Sequence, residues 1–294
     1  MDTIRQQFQS INIWRRGSER APHKPLLILL ALGHYQRGGE RLISFEWINE
    51  KLKELLKDFG PRRQFYRPEY PFWRLQNDGL WEIPKRGVLL NKTANDDVNR
   101  KELLSVSAVG GFPEGLYQRL KKNPGLVREI VRDILDKYFS ETLHDDILQS
   151  VGLDLEMTTS RSRIRSPHFR NNILKAYEYR CAICGFDIRM AGNPVGLEAA
   201  HIQWHQYEGP DIEPNGLALC SLHHKLFDRG VFTLSPELEI LVSEYASGGE
   251  NFDFWLKRHH GHKILHPQRP DYYPDPKYVT WHVREVFRGP SRYL

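Results

Sequence analysis

Cysteine is scarce in this sequence: its 294 residues include three, Cys181, Cys184 and Cys220. An odd count this low excludes a disulfide scaffold. Long apolar runs are missing as well. The longest, Leu26 to Gly33, falls far short of the roughly 18 residues that a membrane span needs. The opening MDTIRQQFQS lacks the basic-then-apolar pattern of a secretory signal. These absences predict a soluble, cytoplasmic protein with no membrane partner. Neither an internal repeat nor a low-complexity tract is visible. A strong charge of one sign is absent too: 42 Lys and Arg against 37 Asp and Glu leave 42 − 37 = +5, a mild hint of a polyanionic partner.

What is present is a core-forming composition, with 40% hydrophobic and 27% charged residues. The length suits two domains of ordinary size. The segment DLEMTTSRSRIRS, Asp154 to Ser166, runs from acidic through small polar to basic with little to bury, and reads as a linker. The division predicted is a domain over 1–150, a linker over 151–165 and a second domain over 166–294. The expected fold class is α+β: a mostly helical N-terminal domain with a small β component, then a mixed C-terminal domain.

In the first domain the patterning predicts helices over 2–11, 25–36, 45–57, 114–121 and 125–139. The second of these is apolar nearly all round and should be buried. Ser44 is a natural N-cap for the third. The stretch 59–80, rich in aromatics, Arg and Pro, reads as loop with short strands. In the second domain a basic helix over 166–179 leads into a cysteine-bearing turn. A strand over 197–202, a helix over 216–227 and two short strands at 231–234 and 238–242 follow. An aromatic, His- and Pro-rich tail should pack back on the domain.

Cys181-x-x-Cys184 and Cys220-x-x-His223 form the strongest signal. Zinc takes four S and N ligands in a tetrahedron; the Cys-x-x-Cys turn supplies two, and Cys220 and His223, i and i+3 on a predicted helix, face the same way to supply the others. His223 and His224 are adjacent and could exchange roles; the spacing from Cys220 favours His223 for zinc. Interleaved with these are His201 on a strand, Asn215 in a loop and His224 on a helix. A hairpin packed on one helix would turn both imidazoles towards a shared point, one as general base and the other holding a divalent cation.

The stretches YRCAICGF, LEAAHIQW and NGLALCSLHHKLFDRG, within 166–245, resemble the HNH family of nucleases, also called ββα-metal or His-Me finger nucleases. The resemblance implies a ββα-metal domain with structural zinc that hydrolyses phosphodiester bonds. His201 matches the base that deprotonates water, and Asn215 the residue that fixes the loop and orients that base. His224 matches a ligand of the catalytic ion, Mg2+ or Mn2+. Many relatives carry Asp or His directly before the base, where this chain has Ala200. Glu198 is a candidate substitute, although strand alternation sets 198 and 201 on opposite faces. His205 and Asp228 are weaker candidates and read as surface residues.

Arg161, Arg163, Arg165, Arg170, Lys175 and Arg180 precede the zinc turn with Glu178 as the single acid among them, a run that suits DNA phosphates. Lys257, Arg258 and Lys263, with neighbouring histidines, form a second cationic cluster. In the N-terminal domain, RAPHKPLLILLALG, RPEYPFWRLQNDGLWEI and VGGFPEG resemble the sulfur-binding domain of modification-dependent (type IV, McrA-type) restriction endonucleases. The resemblance implies a reader of double-stranded DNA in which sulfur replaces a non-bridging phosphate oxygen. Tyr70 and Pro71 are the expected apolar wall for the sulfur. Arg20, His23 and Lys24 should contact the backbone, and Arg74 or Gln76 the base edges. Phe72 and Trp73 read as core.

The sequence therefore points to a two-domain endonuclease acting near phosphorothioate. Cutting both strands takes two sites, which a homodimer would supply. Two other readings stay open: a nuclease for methylated, hydroxymethylated or unmodified DNA, and a non-catalytic zinc-bearing DNA-binding protein, for which Ala200 speaks.

Overall fold

The computed structural model describes residues 3–13, 17–84, 97–154 and 167–292, and it divides into two units, Met1–Glu156 and Met157–Leu294. Arg161, Arg163 and Arg165 lie outside the described residues.

The first unit is built around α2. Helix α1 spans Thr3–Gln9 and α2 His23–Gln36. Every residue of α2 from Pro25 to Gly33 is buried, so this helix has no solvent face of its own over that stretch. Strand β1 (Ile43–Ser44) runs into α3 (Phe45–Phe59), where the Ser44 hydroxyl accepts from the backbone N–H of Trp47. Helix α4 (Glu69–Arg74) and a 3₁₀ turn, Leu75–Asp78, come next. Helix α5 (Arg100–Ser105), capped by Asn99, precedes β2 (Val109–Gly110), which pairs antiparallel with β1. Helices α6 (Glu114–Lys122), α7 (Pro124–Tyr138) and α8 (His144–Val151) complete the unit. Helix α2 packs on α3, α4, α7 and α8. At the α2–α8 crossing a Cβ on Gly33 would lie 2.1 Å from the carbonyl oxygen of Val151, so only glycine permits that approach.

Two expectations for this unit are corrected. Residues 69–78 are helical instead of loop and strand. Pro68 and Pro71 sit where a first turn needs no N–H donors, and the aromatic residues that resemble strand content are buried. The first residues assigned to the linker belong to the core: Val151 ends α8 fully buried, and Leu153 is buried beyond it. Helices α5 and α8, of six and eight residues, are additional to the sequence expectations.

The second unit starts with α9 (Pro167–Ala176), followed by the hairpin β3 (Arg189–Met190) and β4 (Asn193–Pro194). Strands β5 (Leu197–His201) and β6 (Gly216–Cys220) pair antiparallel from Leu197↔Cys220 to His201↔Gly216. Helix α10 (Ser221–Asp228) leaves directly from β6. A third hairpin, β7 (Phe232–Leu234) and β8 (Ile240–Val242), precedes α11 (Glu250–Trp255) and α12 (Pro276–Glu285). Helices α9 and α10 pack on the β5–β6 pair, and α12 packs on β7, which fits the expected return of the tail.

Here the expected single helix over 216–227 is a strand followed by a helix. Every residue of β6 is buried, so the segment shows no alternation, and an apolar run of that length reads equally as a buried helix. Among the described residues no helix is long and apolar enough to cross a membrane.

Candidate active site and DNA-reading surface

The metal cluster forms where three local structures meet. Cys181 and Cys184 lie on a tight turn closed by the N–H of Gly185 donating to the Cys181 carbonyl at 2.9 Å. Gly185 has φ of +75°, a left-handed conformation suited to glycine. The turn is docked on β6 by the Ala182 N–H donating to Ala218 at 2.8 Å. Cys220 closes β6 and serves as the N-cap residue of α10, so it is not inside a helix, and His223 stands in the first turn.

The four ligand atoms of Cys181, Cys184, Cys220 and His223 lie within 4.8 Å of one another. A tetrahedron with bonds of about 2.3 Å has edges of about 3.8 Å, so the donor set fits one ion. His223 Nδ1 is 3.1 Å from Cys220 Sγ, and Nε2 donates to the Trp255 carbonyl at 2.8 Å. That outer bond leaves Nδ1 as the ligand nitrogen. Burial alone would lower the His223 pKa, but its hydrogen bonds with the three sulfurs outweigh burial and push it up to about 12. The pocket therefore favours positive charge.

Along β5 the site continues to His201. Its ring stacks on Phe169 of α9 at 4.0 Å, and its Nε2 is 2.8 Å from Asp211 Oδ1. Asn215 is wholly buried. Its Oδ1 accepts from the Gln203 N–H at 2.8 Å, and its amide donates to the carbonyls of Gln203 and Pro210, each at 3.0 Å. These three bonds close the 203–215 loop between the two strands. Replacing Asn215 with alanine should cost on the order of 3 kcal/mol. A denaturant titration checks this; an unchanged midpoint would remove the loop-fixing role.

His224 is buried between two carboxylates. Its Nδ1 is 2.6 Å from Glu198 Oε2, and its Nε2 is 3.3 Å from Asp228 Oδ2. Alternation does separate 198 from 201, but it also sets Glu198 on the same face as Ala200, where relatives carry a ligand. The other oxygen of Glu198 accepts from Ser221 Oγ at 2.6 Å. Asp228 is corrected from surface residue to buried residue, because it ends α10 facing inwards and accepts from Trp204 Nε1 at 3.0 Å. His205 is exposed, as expected. Sequence reasoning missed Asp211, an acid in a polar loop with no local signal. Arg170 is exposed on α9 and donates to the Leu197 carbonyl at 3.0 Å.

In the first unit the expected DNA-contacting residues fare differently from one another. Arg20 is buried at 3% exposure, and its guanidinium donates to the Phe59 carbonyl at the end of α3, a helix terminus that favours a cation. That placement corrects the expectation that Arg20 lies on a DNA-facing surface. Lys24 is held by Asp78 at 2.6 Å and by the Asn12 carbonyl at 2.7 Å. Burial, aided by Arg63, pushes the His23 pKa down to about 4, so this ring is neutral at pH 7. Tyr70 is half-buried, with the guanidinium of Arg74 at 4.8 Å and that of Arg67 at 5.7 Å from its ring centroid. Arg74 is also paired with Asp97 at 2.7 Å. Gln76 donates to the Trp73 carbonyl at 2.8 Å. Pro71 is buried along with Phe72 and Trp73.

A two-stranded hairpin packed on one helix, with a thiolate–imidazole cluster at its base and histidines on strand and helix, defines a ββα-metal nuclease domain. A family model described as HNH endonuclease matches residues 181–235. The model described as ScoMcrA-like, DNA sulfur-binding domain matches residues 1–156, and the chain belongs to that family. It thus joins a sulfur-binding domain to an HNH-type DNA endonuclease domain. Among solved structures, the sulfur-binding domain of ScoMcrA complexed with phosphorothioated DNA is 24% identical with a TM-score of 0.47, covering 52% of this chain and 97% of that one. The corresponding SprMcrA domain, also complexed with phosphorothioated DNA, is 22% identical with a TM-score of 0.41, covering 50% and 91%. The modification-dependent TagI restriction endonuclease is 24% identical with a TM-score of 0.30, covering 42% and 38%. No curated protein sequence matches the chain.

Proposed function

We propose that this protein is a restriction endonuclease that recognises phosphorothioate-modified duplex DNA through residues 1–156 and hydrolyses phosphodiester bonds nearby with its HNH domain. The observation that carries the cutting step is the single strand β5. It bears both His201, backed by Asp211, and Glu198, which meets His224 at 2.6 Å.

His201 serves as general base. Asp211 accepts from its Nε2–H, which leaves the other ring nitrogen as the proton acceptor for water. Glu198 and His224 would hold the divalent cation, Mg2+ or Mn2+, that the HNH chemistry calls for. When bound, that ion neutralises charge on the phosphate and the departing oxygen. Asn215 keeps the intervening loop closed so that His201 stays in register. The cluster of Cys181, Cys184, Cys220 and His223 holds zinc, the metal suited to three thiolates and one imidazole. Three cysteines without a disulfide suit the reducing cytoplasm, where the enzyme would meet DNA.

Sulfur is larger, softer and less hydrated than oxygen, so its recognition calls for contacts that do not attract every phosphate. Tyr70 and the neutral His23 supply such contacts, with Pro71 buried in the helix that carries Tyr70. Lys24 and Arg74 are already paired with carboxylates, which limits their pull on unmodified backbone. Arg163, Arg165 and Arg170 would hold phosphates near the nuclease, and Gln76 or Arg74 would reach base edges. A pair of copies would supply the two cuts. The test is a gel-shift comparison of matched phosphorothioated, methylated and plain duplexes, followed by cleavage of each with Mg2+ and with Mn2+. Preference for the phosphorothioated duplex in both assays is expected. Equal affinity for all three would reject the sulfur reading.

A further inference from the structure

We infer that Asp228 and Trp204 form a relay that positions His224 for metal binding, an inference that rests on the reading of His224 and Glu198 as holders of the divalent ion. Asp228 follows His224 by one helical turn and is 3% exposed. A carboxylate so deeply buried is stable only when its oxygens are met by donors. Oδ1 accepts from the indole N–H of Trp204 at 3.0 Å, and Oδ2 faces His224 Nε2 at 3.3 Å. Trp204 is itself anchored: it is 2% exposed and packs against Trp281 of α12, with ring centroids 6.1 Å apart.

The chemistry follows from what each group can do. An ionised carboxylate accepts hydrogen bonds and cannot donate them. By that rule each ring nitrogen faces an acceptor, Nε2 at Asp228 and Nδ1 at Glu198, so Asp228 would hold the proton on Nε2 while a cation shared with Glu198 took the place of the proton on Nδ1. That nitrogen is the one 2.6 Å from Glu198. Asp228 thus orients the His224 ring through Nε2 and leaves Nδ1 as the nitrogen turned to Glu198, in the manner of the outer carboxylates that orient metal-binding histidines. Trp204 fixes the carboxylate, and the C-terminal helix fixes Trp204. The relay runs from the tail to the metal ligand without touching substrate, so both are positioning residues.

Asp228→Asn separates this role from simple packing, because the volume is unchanged. An amide that keeps its oxygen on the indole N–H turns its NH2 towards Nε2, which moves the ring proton to Nδ1 and blocks ligation. The decisive measurement is calorimetric titration of Mn2+ into the full-length protein without DNA, for wild type, Asp228→Asn, Trp204→Phe and His224→Ala. Zinc content and affinity for phosphorothioated duplex are measured alongside. Asp228→Asn should weaken Mn2+ binding about 10- to 100-fold. Trp204→Phe should shift it less in the same direction, with zinc content and DNA affinity unchanged for both. If His224→Ala loses Mn2+ while Asp228→Asn binds it as wild type does, the relay is overturned and the metal reading stands. If His224→Ala binds Mn2+ and cuts DNA normally, the metal reading fails and the relay with it. Should Asp228→Asn not fold, Trp204→Phe decides: an unchanged dissociation constant rejects the relay.

Discussion

Replacing His201 with alanine should slow cleavage by about 10²- to 10⁴-fold, the span expected when a positioned general base is lost. The residue ends β5, lies on the face of Phe169 and is oriented by Asp211, so the substitution removes one ring from the edge of the site and leaves the strand pairing intact. Binding of modified DNA, assigned to residues 1–156, should be unaffected. Asp211→Asn should give a smaller loss, because the ring keeps its stacking partner and an amide oxygen that can accept, and loses only the negative charge of its acceptor. Single-turnover cleavage at saturating Mn2+ together with a gel shift separates rate from affinity. Cleavage by His201→Ala at the wild-type rate would remove this residue as the base.

The second large effect is expected on removal of the structural metal. Among its described residues unit 2 has strands of two to five residues and three short hairpins, and the thiolate–imidazole cluster ties the cysteine turn, the end of β6 and the start of α10 together. Binding of a structural zinc is worth on the order of 10 kcal/mol, comparable to the whole stability of a small domain at about 5–15 kcal/mol. Cys220→Ser, or exhaustive chelation, should therefore unfold this unit and abolish cleavage. The sulfur-binding unit should still melt cooperatively and bind modified DNA. Calorimetry with elemental analysis checks this. A metal-free protein that melts like the metal-loaded form would show that the cluster is not a structural clamp.

Much of the candidate site was legible because its signals are local. Two x-x pairs place four soft ligands on two turns whatever the rest of the chain does. The order of His201, Asn215 and His224 reflects a short hairpin and the helix that follows it. Other features could not be read this way. β6 is buried on both faces and loses the alternation that marks a strand, and α4 carries Pro and aromatic residues that locally argue against a helix.

The partners of the site residues depend on folding. Asp78 reaches Lys24 across 54 residues and Asp97 reaches Arg74 across 23, converting two apparent DNA-binding cations into paired ones. Arg20 looks like a surface cation in the sequence and is a buried helix-end ligand in the structure. Glu198 shares its face with Ala200, a relation that strand alternation implies, but its contact with His224 needs α10 to be laid against β5. The amino-acid sequence determined by itself which residues can ligate, accept a proton or carry charge, since those are properties of side chains and short spacings. Only the tertiary structure decided which of them meet, because a carboxylate or an indole acquires its partner when distant segments are buried together and every polar atom inside must find a donor or an acceptor.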